Sequence, residues 1–281
     1  MEKTDRYRSK GGVLLAAWLS SFLSLVPAAA SFPQPVRPAT QRARHPKAST
    51  PQSAPAHVAE LPVPFHAGET LNYRVAWATF PSAASLQLSV PERRELFGWQ
   101  TWHFRVSIHT QNSVRSLFAI DDQFDSYTDA RTLETRQYEM YLNEMGRRQN
   151  EIQHLIPLGE TPRAPAPVVV VLPGTRDAVG ALYALRIVDW QGTPQLQVPV
   201  YDGHDVYQIS AQRETPADTV TVAAGQFSAS RISIRLFQNS REVSHLRFTI
   251  WLANNRLHTP IQIQAELPFG DVRAELTSAS E

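Results

Sequence analysis

Cysteine is absent from the sequence. That one absence excludes disulfide staples, thiolate zinc sites, cysteine nucleophiles and a lipidated N-terminal cysteine. Lysine is missing from residue 61 onward, so every base there is an arginine. Arginine's fork suits bidentate recognition of carboxylates or phosphates, but a coding bias in a GC-rich genome explains the same fact more cheaply. Charge is sparse, at 19% of residues and a formal net of +1, against about 25% in ordinary soluble domains. No basic surface points to nucleic acid, and no acidic excess to a solvating tail. The G-x-S-x-G elbow, the phosphate-binding glycine loop and the H-E-x-x-H helix are missing too, so three classes of enzyme lack their usual markers. No cofactor, metal ligand or catalytic residue is assigned.

What is present begins with an export signal. Lys3, Arg6, Arg8 and Lys10 precede an apolar run from Gly11 to Val26, and Pro27 and Ala28-Ala29-Ala30 supply the small residues a signal peptidase needs. Residues 1–30 are read as a signal peptide cleaved after Ala30. The alternative is an uncleaved inner-membrane anchor, because Gly11–Ala30 is just long enough for a hydrocarbon core of about 30 Å. Residues 31–60 repeat proline among Ala, Ser, Gln and four bases. So few large apolar groups cannot offset the entropy of ordering the chain, and the segment reads as a disordered linker. Eight of the 27 Lys and Arg and three of the 26 Asp and Glu lie in residues 1–60, leaving 61–281 with 19 bases and 23 acids, a net of −4.

Residues 61–281 read as a single β-rich domain. Leu71, Tyr73, Val75 and Trp77 alternate with Asn72, Arg74 and Ala76. The same period recurs over Leu86–Val90, Trp102–His109, Arg231–Leu236, Leu246–Leu252 and Ile261–Leu267. Period two puts each apolar set on one pleat face, which predicts antiparallel strands wet on one side. About ten to twelve such strands suit a large curved sheet or incomplete barrel, since a flat sheet that wide curls or splits. One segment breaks the period: Val179, Leu182, Tyr183 and Arg186 have helical spacing, with Thr175 or Asp177 as cap, which predicts one short packed helix near 177–187. Pro157–Pro173 reads as a loop holding one short extended piece that covers an edge strand. Ser113–Ile120 is left open between helix and strand.

Candidate polar groups are scattered. His103 and His109 share the polar face of one strand but lie about 20 Å apart, too far to ligate one ion alone, and both read as surface histidines. His204 beside Asp205 sits in an Asp202-Gly203 turn and is set aside as a base. Asp121, Asp122, Asp125 and Asp129 lack the spacing and turn glycine of a calcium loop and read as loop carboxylates, ion-paired with Arg131 and Arg136. The aromatic residues either fill the core or line a concave groove for an apolar ligand.

The order of several motifs is informative. Phe65-His66-Ala67-Gly68-Glu69-Thr70-Leu71-Asn72-Tyr73 carries a G-E-x-L-x-Y pattern at the opening of a strand. Asp125-Ser126 precedes Thr132-Leu133, and Asp177 through Leu182-Tyr183 to Arg186 follows D-x-x-x-x-L-Y-x-x-R. Gly225 marks a turn before a strand, and Trp251-Leu252 falls at a strand end. In these features the chain resembles the bacterial exported family called domain of unknown function 3108, over residues 61 to 278. Asn254 and Asn255 depart from the acidic residue usual after the late tryptophan, which weakens any ion-binding idea there. Pro81-Ser82-Ala83-Ala84 likewise replaces a glycine-containing turn. The resemblance implies an exported, periplasmic, β-rich domain without an assigned activity. Its motif positions Gly68, Glu69, Tyr73, Asp125, Asp177, Tyr183, Arg186, Gly225 and Trp251 are expected to be structural.

The expected function is non-enzymatic binding of a lipid or other apolar ligand, or of a cell-envelope protein, with no nucleic-acid partner. Membrane contact is expected only through an uncleaved N-terminal segment. Two alternatives stand beside it: an envelope scaffold on that anchor, and a hydrolase using carboxylates such as Glu69 and Asp125, which requires the two to face each other about 5 to 10 Å apart.

Overall fold

The computed structural model describes residues 61–280. The expected signal peptide and linker lie outside them. From the first alternating run the chain forms β1 (Thr70–Trp77), β2 (Phe80–Leu96) and β3 (Trp99–Thr110), then a short helix α1 (Asn112–Leu117). Next come β4 (Asp121–Asp129), β5 (Thr135–Glu144), β6 (Arg147–Pro157), β7 (Val168–Val171), β8 (Arg176–Asp177) and the helix α2 (Ala178–Arg186). The series ends with β9 (Gln195–Tyr201), β10 (Val206–Val222), β11 (Gly225–Gln238), β12 (Arg241–Ala253), β13 (Pro260–Glu266) and β14 (Val272–Ser280). All fourteen strands belong to one sheet. The two beyond the expected upper count are the edge strands β7 and β8, too short for a period to show in sequence.

Neighbours in the sheet are consecutive in the chain, and β1 pairs with β14, so the order runs as a meander from β7 back to β1, across to β14, and on to β8. This is a barrel left unjoined between β7 and β8. Only the outermost pairings, β6 with β7 and β8 with β9, are parallel. The two 17-residue strands bend at proline. Pro91 lies where the β2–β3 register slips between Ser89 and Glu92, and Pro216 where the β10–β11 register slips between Glu214 and Asp218. A residue without an N–H is tolerated where the ladder is already broken, and the bulge there adds curvature.

Side chains, with one backbone bond from the Thr135 amide to the Thr175 carbonyl at 3.2 Å, join the seam that the ladder leaves open. Asp177 is fully buried at the start of α2. One carboxylate oxygen accepts the amides of Val179 and Gly180 at 2.8 and 2.9 Å, an N-cap, while the other accepts the hydroxyls of Ser126 on β4 and, at 2.7 Å, Thr135 on β5. Burial nevertheless pushes the Asp177 carboxyl above its ordinary pKa, against those four bonds. Gly180 lets the helix approach: a Cβ there would stand 2.9 Å from the Thr128 methyl and 3.3 Å from Thr135 Oγ1. Further along the seam, Gln153 on β6 and Tyr201 on β9 both donate to the carbonyl of Gly203, at 2.8 and 2.7 Å.

One expectation is corrected here and one open reading is resolved. Asp121–Asp129 is a strand, β4, not a loop; its acids alternate so that Asp122 faces inward beside Phe124 while Asp121, Asp125 and Asp129 face outward. The segment left open at Ser113–Ile120 begins inside α1, which spans Asn112–Leu117 and buries Val114 alone. No helix among the described residues is long and apolar enough to cross a membrane.

Candidate ligand cavity

The inward faces of the strands do not meet completely. Leu86 and Leu88 of β2 and Val106 and Ile108 of β3 form one wall of a cavity; Ile209, Ile234, Ile250 and Ile263 of β10–β13 form the opposite one. Helix α2 lies between them and contributes Val179, Leu182 and Leu185. The space is about 150 Å³ and partly open, the size of an apolar cavity that admits a small hydrocarbon. Leucine and isoleucine side chains reach these positions because period-two strands aim every second residue inward, and α2 turns its apolar stripe to the same space.

One end of the barrel is plugged. Phe104 and Tyr183 stack with centroids 3.9 Å apart, and Phe65 meets Trp102, Phe104 and Tyr183 edge-on at 5.2–5.4 Å. Beside them Glu69 accepts two parallel hydrogen bonds from Arg186, at 2.6 and 2.7 Å, and Arg186 also donates to the Leu257 carbonyl at 3.1 Å. The Tyr73 hydroxyl donates to the Pro260 carbonyl at 2.6 Å. Burial pushes the phenols of Tyr73 and Tyr183 up; Tyr73 donates, while the Tyr183 hydroxyl has no hydrogen-bond partner. Glu69, Tyr73, Tyr183 and Arg186 are thus brought together, although 117 residues separate Glu69 from Arg186.

The other motif positions stand apart. Asp177 caps α2. Gly68 and Gly225 adopt φ of +96° and +137°, one in the turn before β1 and the other at the start of β11, where left-handed backbone favours glycine. Trp251 donates its indole N–H to Asp218 at 2.7 Å. Asp125 sits on the convex face. None of the nine lines the cavity.

Around Asp125 the convex face carries a second polar cluster. Asp125 accepts from Arg105 at 2.7 Å and from Gln123 at 2.6 Å, and the His103 ring nitrogen Nε2 lies 2.5 Å from it. Burial alone would raise this carboxyl, but the bonds from His103, Arg105 and Gln123 outweigh it and hold Asp125 below the usual range. His103 is 4% exposed, so its reading as a surface histidine is corrected. It is stacked on Tyr127 at 4.4 Å, and Arg94 in turn lies over the Tyr127 ring. His109, as expected, is exposed on the same strand.

Chemically, the carboxylates of both clusters are paired within them, while Arg186 Nε, the Tyr183 hydroxyl and His103 Nδ1 are buried without a hydrogen-bond partner. Asp125 faces outward opposite Arg105, whereas Glu69 faces inward with Leu71 and Tyr73. The two carboxylates therefore lie on opposite sides of the sheet and cannot flank a scissile bond. His204 and Asp205 donate only backbone amides, both to Asp202 at 2.8 Å, as in an Asx turn. No group of three or more His, Asp or Glu that could hold a metal occurs among the described residues. What the cavity walls can do is desolvate an apolar molecule. Their leucines and isoleucines are visible in the sequence as strand residues, but nothing there separates a side chain that lines a space from one that fills it.

Solved structures of low sequence identity resemble the chain. One is the β-barrel-like protein of domain of unknown function DUF1849 from Brucella abortus, with 10% identity, a TM-score of 0.47, and coverage of 79% of this chain and 99% of that one. A lipoprotein candidate from Parabacteroides distasonis ATCC 8503 aligns at 10% identity and TM-score 0.38, over 79% of this chain and 100% of the other. An exported-protein candidate with a YmcC-like fold from Bacteroides fragilis NCTC 9343 aligns at 8% and 0.31, over 79% and 100%. No curated protein matches the chain. The family model described as "Protein of unknown function (DUF3108)" matches residues 72–277, nearly all of the sheet. The chain belongs to the DUF3108 family.

Proposed function

We propose that this protein is a non-enzymatic binding protein for a small apolar molecule, exported from the cytoplasm and working in the periplasm. One observation carries the reading: a largely apolar cavity of about 150 Å³ lies between the barrel walls and α2. Burying apolar ligand surface supplies the affinity, on the order of 25 cal/mol per Å² removed from water. Export rests on the pattern of residues 1–30. The experiment is native mass spectrometry of the chain purified from the cells that make it. A bound mass that is released on denaturation supports the reading; bare protein that also fails to take up added hydrocarbon overturns it.

A second reading, an envelope interaction module, is favoured by the β7 edge. Leu158, Val170 and Leu172 are 66%, 61% and 54% exposed beside one another at the end of the sheet, where an added strand could pair. Crosslinking from Val170 in living cells tests it; capture of one envelope protein supports this reading, and no capture contradicts it.

A further inference from the structure

The cavity wall contains one carboxylate. Asp202 lies in the turn between β9 and β10 and is only 4% exposed. Its Oδ1 accepts the amides of His204 and Asp205, both at 2.8 Å, and this satisfies the turn. Its Oδ2 is buried and has no hydrogen-bond partner. Burial pushes the carboxyl above its ordinary pKa, with the two amide bonds opposing.

An unpartnered acceptor in an apolar wall opposes folding. The turn does not need it: asparagine would cap the same two amides without a charge. The position is also held firmly. Gly203 has φ +109°, and a Cβ there would meet Met140 Sδ at 2.9 Å. Its carbonyl is gripped by Gln153 and Tyr201. The free oxygen is thus held in place at the wall but has almost no open surface, so a donor reaches it only by a small movement of the side chains around it.

We propose that Asp202 is the polar anchor of this cavity, and that the molecule it takes is an apolar chain or ring bearing a hydrogen-bond donor, a hydroxyl or an ammonium, in preference to an acyl carboxylate. The proposal rests on the cavity being a ligand site. A donor head completes Oδ2, whereas a carboxylate head brings a second acceptor against it.

The test is isothermal titration of the full chain with 1-octanol, octylammonium and octanoate at pH 7.5, in wild type and Asp202→Asn. Asparagine keeps Oδ1 for the turn and puts an N–H₂ donor where the free acceptor stood. Wild type is expected to take at least one donor compound about tenfold or more tighter than octanoate, the range of one charge-assisted hydrogen bond. In D202N octylammonium should weaken by a similar factor while octanoate gains. Wild type binding octanoate at least as tightly as both donors overturns the proposal, and needs no variant. So does a ranking unchanged in D202N. If wild type binds none of the three, the cavity reading falls with it; binding without the ranking overturns the anchor alone.

Discussion

Glu69 and Arg186 meet in a two-pronged ion pair, 2.6 and 2.7 Å long, with side chains 2% and 1% exposed. It joins the residue before β1 to the last turn of α2, and so fixes the helix inside the barrel. Removing one partner leaves the other charge buried and alone, at a cost of about 3–5 kcal/mol. Glu69→Gln and Arg186→Met are each expected to lose that much in urea denaturation. The double substitution to leucine and methionine should recover most of it, because two apolar groups leave no stranded charge. Losses below about 1 kcal/mol in the single variants contradict this role.

Asp177→Ala removes the α2 cap and leaves the O–H groups of Ser126 and Thr135 without an acceptor, although the Thr135 oxygen keeps the amide of residue 177. A cap is worth about 1 kcal/mol and each stranded buried group about 1 more, so a loss near 3 kcal/mol is expected. Ser126→Ala, which deletes one hydroxyl, should cost about a third as much. Equal losses in the two variants count against the shared-carboxylate arrangement.

At Gly180, valine would drive two methyl groups toward a Thr128 methyl that stands only 2.9 Å from where a Cβ would be. Overpacking of this kind costs about 1–3 kcal/mol, which outweighs the few tenths of a kcal/mol that valine gains over glycine in helix propensity. A lowered melting temperature is expected for Gly180→Val; an unchanged one means that α2 stands further from β4 than described.

The inward carboxyls of Asp122 and Glu144 give stability a pH dependence of definite sign. Burial raises Asp122 to about 6, and burial followed by repulsion from Asp122 raises Glu144 to about 7. Both bind protons more readily folded than unfolded. Their contribution is complete below the unfolded carboxylate range near pH 4 and is lost as pH rises through 6 and 7. Asp121 acts oppositely: the bond from Arg115 is the first cause that lowers it to about 2, so its share is present above pH 4 and lost as pH falls. Denaturation between pH 4.5 and 8 should show declining stability, flattened in Asp122→Asn. A rise over that range contradicts the assignment.

Much of this architecture is legible from residue order. The runs Leu71–Trp77, Trp102–Ile108 and Ile261–Leu267 alternate strictly, and each is a strand with its apolar set inside. Asp177 ahead of Val179 and Leu182 announces the capped helix. His103 reads as a surface residue because an outward position on a one-sided sheet should be wet; here Tyr127, Arg94 and neighbouring strands cover it, a contact between residues far apart in the chain. Acid-rich β4 resembles a loop because intrinsic strand propensity disfavours aspartate, yet His103, Arg105 and Arg136 supply its partners across the sheet. The lone acceptor of Asp202 is invisible in sequence, where Asp-Gly signals only a turn.

The central claim is that the space between the walls receives a ligand. Its most direct test is isothermal titration of toluene into wild type and into Leu182→Trp, which fills the cavity from α2. The account predicts saturable binding by wild type and a loss of at least about tenfold in the variant, with a melting temperature unchanged or raised. Equal binding by both proteins, or no saturable binding by wild type, contradicts it.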